Sequence, residues 1–211
     1  MKIGAYQFVV KGDIKYNFES IKKAILQASN EQVELLVLPE CALTGYPSHN
    51  IERASEVDFN ELTVVSKQLQ HMSSEHNIHI VVGSVTKVDE KHYDSAIIFS
   101  PNKERKLYHK RALWGWDKDN FSVENNSGVF ELANLKIGIR ICYEVRFPEF
   151  FRELYARHTD LNIILFYDVA DYDDIERYDL IKAHIRTRAV ENVCHTLSVN
   201  TIKLLENRAE E

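Results

Sequence analysis

Apolar positions fall in short blocks along the chain, and the blocks alternate between two periods. Residues 3–10 form a short apolar stretch that predicts a first strand. Phe18, Ile21, Ile25 and Ala28 then recur at helical spacing, with Asn17 placed to cap that helix. Leu35-Leu36-Val37-Leu38 is a continuous apolar run stopped by Pro39, the pattern of a buried strand that ends in a loop. Leu62, Val65, Leu69 and Met72 mark a second helix, and residues 78–85 a strand after it. Two further strands, 95–99 and 106–111, are joined by a turn at Pro101-Asn102. The second half repeats the logic. A strand over 135–142 leads to a helix over 148–157 with Pro148 in its first turn, then to a strand over 161–166. A helix carrying Leu180, Ala183, Thr187 and Val190 reaches Asn192, and a last strand covers 194–199. Strand–helix–strand units in both halves, with a hairpin-like pair between them, predict an α/β fold with a mixed sheet. With no Pro/Gly/Ser linker and no internal repeat, the pattern predicts one domain over residues 1–202 and a polar tail over 203–211.

Composition narrows the class. The chain has 211 residues, 45% of them hydrophobic, and its 26 Lys and Arg against 32 Asp and Glu give a net charge of −6. That balance excludes collagenous and disordered chains, and an acidic chain without a Lys/Arg block is a poor binder of nucleic-acid backbones. The opening Met-Lys-Ile-Gly-Ala-Tyr-Gln turns polar too soon for a secretory leader, and no apolar run approaches a membrane span. Three cysteines, Cys41, Cys142 and Cys194, lie far apart and are odd in number. They form neither a disulfide framework nor a zinc pattern, which predicts free thiols and a cytoplasmic protein. The histidines are scattered, with no HxH, HExxH or Cys/His cluster, so no metal site is expected.

Three segments at the ends of apolar strands carry candidate chemistry, where open α/β sheets place their sites. In Leu38-Pro39-Glu40-Cys41-Ala42-Leu43-Thr44-Gly45-Tyr46-Pro47 a carboxylate follows a buried strand. Desolvation there raises a carboxyl toward general-base work; a glutamate capping loop amides is the alternative. In Tyr108-His109-Lys110-Arg111-Ala112-Leu113-Trp114, Lys110 reads either as a fixed cation or as a solvated strand end. In Ile139-Arg140-Ile141-Cys142-Tyr143-Glu144-Val145-Arg146-Phe147-Pro148-Glu149, Cys142 closes a buried strand ahead of a turn and a helix start. Such a place suits a strained nucleophile or a buried inert thiol.

Taken together, Leu-Pro-Glu-x-x-x-x-Gly-Tyr, the Lys110-Arg111 pair and Ile-Cys-Tyr-Glu-x-Arg-Phe-Pro-Glu resemble the nitrilase superfamily of carbon–nitrogen hydrolases. Arg186-Thr187-Arg188-Ala189-Val190-Glu191-Asn192 resembles the helix that these enzymes carry before a late core strand. The resemblance runs from Met1 to about Asn200. It implies an α-β-β-α two-sheet sandwich that assembles as a homodimer or larger homo-oligomer. It also implies a Glu40–Lys110–Cys142 triad that hydrolyses a small-molecule amide, or less readily a nitrile, through a thioester with no cofactor or metal. Lys110 and the backbone N–H of Tyr143 would hold the oxyanion. Asp117 falls where many members carry a second glutamate, and the Phe-x-x-Gly turn that follows it there is reworked, with Gly128 arriving late. Tyr143-Glu144 after the nucleophile resembles the amidase branches. Arg146 is read as a structural partner of Glu149 or Glu153 rather than as a substrate ligand. Family members continue some tens of residues past the Ser-Val-Asn segment, so the sandwich is expected to lack its final strands. The alternative function is a catalytically weak member acting as a binding or assembly subunit.

Overall fold

The computed structural model describes residues 1–169 and 175–203. Its strands form two mixed sheets. The first has β1 (Ile3–Ala5), β2 (Leu35–Val37), β3 (His79–Val88), β4 (Lys91–Ser100) and β5 (Lys103–His109) side by side in chain order. β1, β2 and β3 run parallel, and β3, β4 and β5 antiparallel. The second sheet has β6 (Val129–Leu132), β7 (Leu135–Ile141), β8 (Leu161–Phe166) and β9 (His195–Asn200) in chain order, antiparallel at β6–β7 and parallel onward. Helices α1 (Ile14–Asn30) and α2 (Phe59–Glu75) belong to the first half, and a single turn, α3 (Asp117–Asn120), precedes the second. α4 (Pro148–Ala156) and α5 (Ile175–Glu191) follow β7 and β8.

Strand periodicity explains the layering. Successive side chains point to opposite faces, and both faces of each sheet are apolar. On one face of the first sheet Leu36, Ile80, Val82 and Ile97 meet Ile21 and Ile25 of α1 and Leu62 and Leu69 of α2. The other face presents Leu35, Val37, Val81 and Ile98 to Ile137, Ile139, Ile163 and Leu165 of the second sheet. The outer face of that sheet carries Ile164 and Phe166, covered by Phe151 and Leu154 of α4 with Ile181 and Ile185 of α5. Three apolar layers make four structural ones, an α-β-β-α sandwich, and each fully buried aliphatic side chain contributes about 1.5–3 kcal/mol. The buried Arg140 guanidinium, on β7 just before the site, ties β7 to α4 by donating to Phe150 O at 2.6 Å and to Ser127 O at 3.0 Å.

Several elements depart from the periodicity reading. α1 begins at Ile14, capped by Asp13, whose carboxylate accepts the Tyr16 N–H at 2.9 Å. Asn17 is buried inside the helix instead, bonded to Lys11 N–H and to the carbonyls of Lys11 and Leu43. β1 is short because the chain beyond Ala5 turns to the segment around the end of β9. There Phe8 O accepts from Thr201 Oγ1 at 2.9 Å and from Ile202 N–H at 3.1 Å, and Gln7 donates to Asn200 O. β6 is an additional strand, and β7 stops one residue before Cys142. Among the described residues, no helix is long and apolar enough to cross a membrane. Most of the tail read from the sequence, residues 204–211, lies outside the described residues.

Candidate active site

Glu40 leaves β2 through Pro39 and is fully buried. Its backbone is pressed against β3, where Gly83 N–H donates to Pro39 O at 3.0 Å. A Cβ on Gly83 would lie 2.4 Å from both Cys41 N and Pro39 O, and 2.5 Å from Glu40 Cα. Those atoms are backbone and cannot swing aside, so any side chain at residue 83 displaces Glu40. Gly83→Ala should therefore lower the kcat/KM of any hydrolysis that uses Glu40 by on the order of a hundredfold, the cost of misplacing a reacting group by about 1 Å. Steady-state kinetics on a variant shown to fold by circular dichroism checks this.

Lys110 follows β5 directly, and its N–H bonds to Asp94 O at 2.8 Å. It is 1% exposed, so it is no solvated strand end. The ammonium lies 2.7 Å from Glu40 Oε1, 2.9 Å from Asp117 Oδ2 and 3.1 Å from Asp94 Oδ2. Burial pulls the Lys110 ammonium down, but the carboxylates of Glu40 and Asp94 outweigh it and hold it charged well above the usual lysine range. Burial lifts the Glu40 carboxyl far above the ordinary carboxylate range, further than Lys110 draws it back. Glu40 Oε2 also accepts the Tyr167 N–H at 2.6 Å, so the base candidate is a loop-capping carboxylate as well. Asp117 reaches Lys110 without a bridge. It accepts Trp114 N–H at 3.0 Å and the Tyr46 hydroxyl, whose proton burial holds firmly in place.

Cys142 opens a 3₁₀ turn, Cys142–Arg146, with φ of +44°, a left-handed conformation that strains a residue bearing a Cβ. The turn is held by Glu144, fully buried, which accepts Ile141 N–H at 2.7 Å, Arg111 N–H at 2.8 Å and the Tyr108 hydroxyl at 2.7 Å. Tyr143, second in the turn, occupies a position whose backbone N–H has no acceptor within the turn. Desolvation, reinforced by the charge of Glu40, pushes the Cys142 thiol well above its usual range, so its proton leaves only to a base.

Lys110, Cys142, Tyr143, Trp114, Arg146 and Tyr167 line a cavity of about 300 Å³. Asp117 is buried and does not line it. A larger cavity, about 520 Å³, lies beside it along α5 and β9, and none of Glu40, Lys110 and Cys142 lines that one. Arg146 does not pair with Glu149 or Glu153. Glu153 is taken by Arg111 at 2.5 Å and Arg140 at 3.3 Å. The Arg146 guanidinium instead lies 5.5 Å from the Trp114 ring centroid and 5.4 Å from that of Tyr143. Among the described residues, no group of three or more His, Cys, Asp or Glu is arranged to hold a metal ion. Sequence reasoning missed Asp94 and the anchoring part played by Glu144. Glu144 stood in a quoted motif without a role, and Asp94 sits in mid-strand with no local signal.

The model of the carbon-nitrogen hydrolase family matches residues 2–208. The chain is 30% identical over 196 residues to a 2-oxoglutaramate amidase of Bacillus subtilis, covering 89% of this chain and 73% of that protein. It is 27% identical to nitrilase 2 of Arabidopsis thaliana, covering 90% of this chain and 59% of that one. Among solved structures, an amidase from Nesterenkonia sp. AN1 in complex with butyramide superposes with a TM-score of 0.83 at 22% identity, covering 95% of this chain and 76% of that one. In the structure of a glutamate-to-glutamine mutant of that amidase, acrylamide has added to the active-site cysteine.

Proposed function

Because the chain belongs to the carbon-nitrogen hydrolase family, we propose that it is a small-molecule amidase that works through a thioester on Cys142. The observation that carries this reading is a fully buried Glu40–Lys110 ion pair in electrostatic contact with a thiol on a strained turn, at the wall of a cavity. In the first half-reaction Cys142 Sγ attacks the amide carbon and its proton passes to Glu40. The proton moves on to the departing nitrogen as the C–N bond breaks, releasing ammonia or an amine. In the second half-reaction water attacks the thioester and gives its proton to Glu40. That proton returns to Sγ as the C–S bond breaks. The Tyr143 N–H and the positive field of Lys110 face the oxyanion in both halves.

Lys110 has a second task. With its hydrogens directed at carboxylates, it fixes Glu40 and supplies charge without leaving the site. A cavity of about 300 Å³ stands at the small end for ligand sites and suits a compact acyl group. Amide is favoured over nitrile by Tyr143-Glu144 after the nucleophile and by the amidase names among the relatives. An ammonia-release screen over small amides and nitriles, carboxylate-bearing amides included, tests the reading. Turnover of amides is expected; release from nitriles alone would reverse the preference. No ammonia from any compound would return the chain to a binding role.

A further inference from the structure

The chain has two tryptophans, Trp114 and Trp116, and both line the cavity at Cys142 from one loop. They stand on either side of Gly115, whose φ of +43° turns the chain between β5 and α3. Both stay open to water, Trp114 being 45% exposed and Trp116 39%. A single exposed apolar side chain is ordinary, but two indoles bordering one cavity form a surface that a ligand can cover. Neither ring stands alone. Trp114 packs on Tyr143 with centroids 5.1 Å apart, and the Arg146 guanidinium flanks both. Trp116 meets His49 at 5.3 Å, and His49 in turn contacts Tyr46 and Tyr167. The loop is also tied to the chemistry. Asp117 Oδ2 accepts from the Lys110 ammonium at 2.9 Å and from the Trp114 N–H at 3.0 Å, and Asp117 N–H donates to Trp114 O at 2.7 Å. Those bonds set Trp114 at a fixed reach from Lys110.

We propose that Trp114 and Trp116 form a subsite for a flat aromatic amine, so that the substrate is an N-aryl amide with a compact acyl group. The proposal rests on the amidase reading above. The order of events assigns the amine half to the tryptophans. In a thioester mechanism the amine departs while the acyl group is still bound, and water enters afterwards, so the amine half lies towards the opening. The exposed indoles mark that opening, and Lys110, 1% exposed, marks the inner end. Aromatic side chains hold a flat ring by offset stacking or edge contact, a gain that a saturated ring of the same size does not make. As the C–N bond breaks, the proton that Glu40 took from Sγ passes to the amine nitrogen. The neutral arylamine then leaves past Trp114 and Trp116, which opens the path for water.

With no other tryptophan in the chain, indole fluorescence reports this subsite alone. Cys142→Ala, which lacks the nucleophile, is titrated with acetanilide and with N-cyclohexylacetamide. Acetanilide should change the emission saturably, at concentrations on the order of tenfold below those that N-cyclohexylacetamide needs. In the chain with Cys142 intact, Trp114→Leu and Trp116→Leu, each checked for cooperative melting, should lower kcat/KM for acetanilide about tenfold further than for acetamide. Equal affinity for the flat and the saturated ring, or equal losses on the two substrates, would overturn the proposal. So would emission that varies with protein concentration but with neither amide, which would make the indoles a contact between copies of the chain. The binding arm needs no hydrolysis. Acetanilide bound as expected but cleaved by no form of the chain would therefore overturn the amidase reading and leave the aromatic subsite standing.

Discussion

Cys142→Ala should abolish hydrolysis of every amide the chain turns over, a fall on the order of 10⁴-fold or more, as for removal of other covalent nucleophiles. Cys41→Ala and Cys194→Ala should each keep at least part of the activity. The three thiols differ in what they can reach. Cys41 is fully buried, also in a left-handed conformation with φ of +50°, and it directs its S–H at Asp94. Cys194 lies just before β9, against Thr159. Only Cys142 combines a strained turn, a cavity wall and the charge of Glu40. Intact-protein mass spectrometry during turnover should trap an acyl adduct on Cys142. An adduct mapping to Cys41 would sink the assignment.

Glu40→Gln should lose both half-reactions, by about 10²- to 10⁴-fold, the usual contribution of a positioned acid–base group. Glutamine has nearly the same shape and retains an acceptor for Lys110 or Tyr167, but it cannot take up and return a proton. The fold should survive, because Asp94 and Asp117 still neutralise Lys110. Rapid-mixing kinetics separates the halves: neither an ammonia burst nor an accumulating thioester is expected. A normal burst followed by slow release would mean that another group deprotonates Cys142.

The candidate positions Glu40, Lys110 and Cys142 were legible because each follows an apolar strand closely and sits in a distinctive motif. β2, β5 and β7 end at Val37, His109 and Ile141, and the three candidates lie within three residues of those ends. What was not legible depended on contacts distant in sequence. Asp94 looks like any polar residue in mid-strand until β4 pairs with β5 and brings Lys110 beside it. The spacing of Arg146 to Glu149 and Glu153 suggests an acidic partner on α4, but Arg111 and Arg140, from two other elements, take Glu153. Asn17 matched the capping preference, yet Asp13 stood four residues earlier and Asn17 found backbone partners inside the fold. β6 escaped because its hairpin into β7 turns at Ala133, with φ of +50° on a residue that carries no turn signal.

The two sheets meet through side chains, and at the site they are also stitched together by hydrogen bonds. Glu40 N–H reaches Phe166 O at 3.3 Å, Tyr167 N–H reaches Glu40 Oε2 at 2.6 Å, and Arg111 N–H reaches Glu144 Oε1 at 2.8 Å. In the proposed reaction, one of those stitches ends on the group whose charge changes. Under that proposal, whenever Glu40 accepts a proton its hold on the Tyr167 amide weakens, since a neutral acceptor bonds less strongly than an ionised one. The backbone at the end of β8 is thus a reporter built into the scaffold. Deuterium exchange at Tyr167 should quicken whenever Glu40 is neutral and slow when its charge returns, reading the proton cycle from a peptide group that takes no part in it.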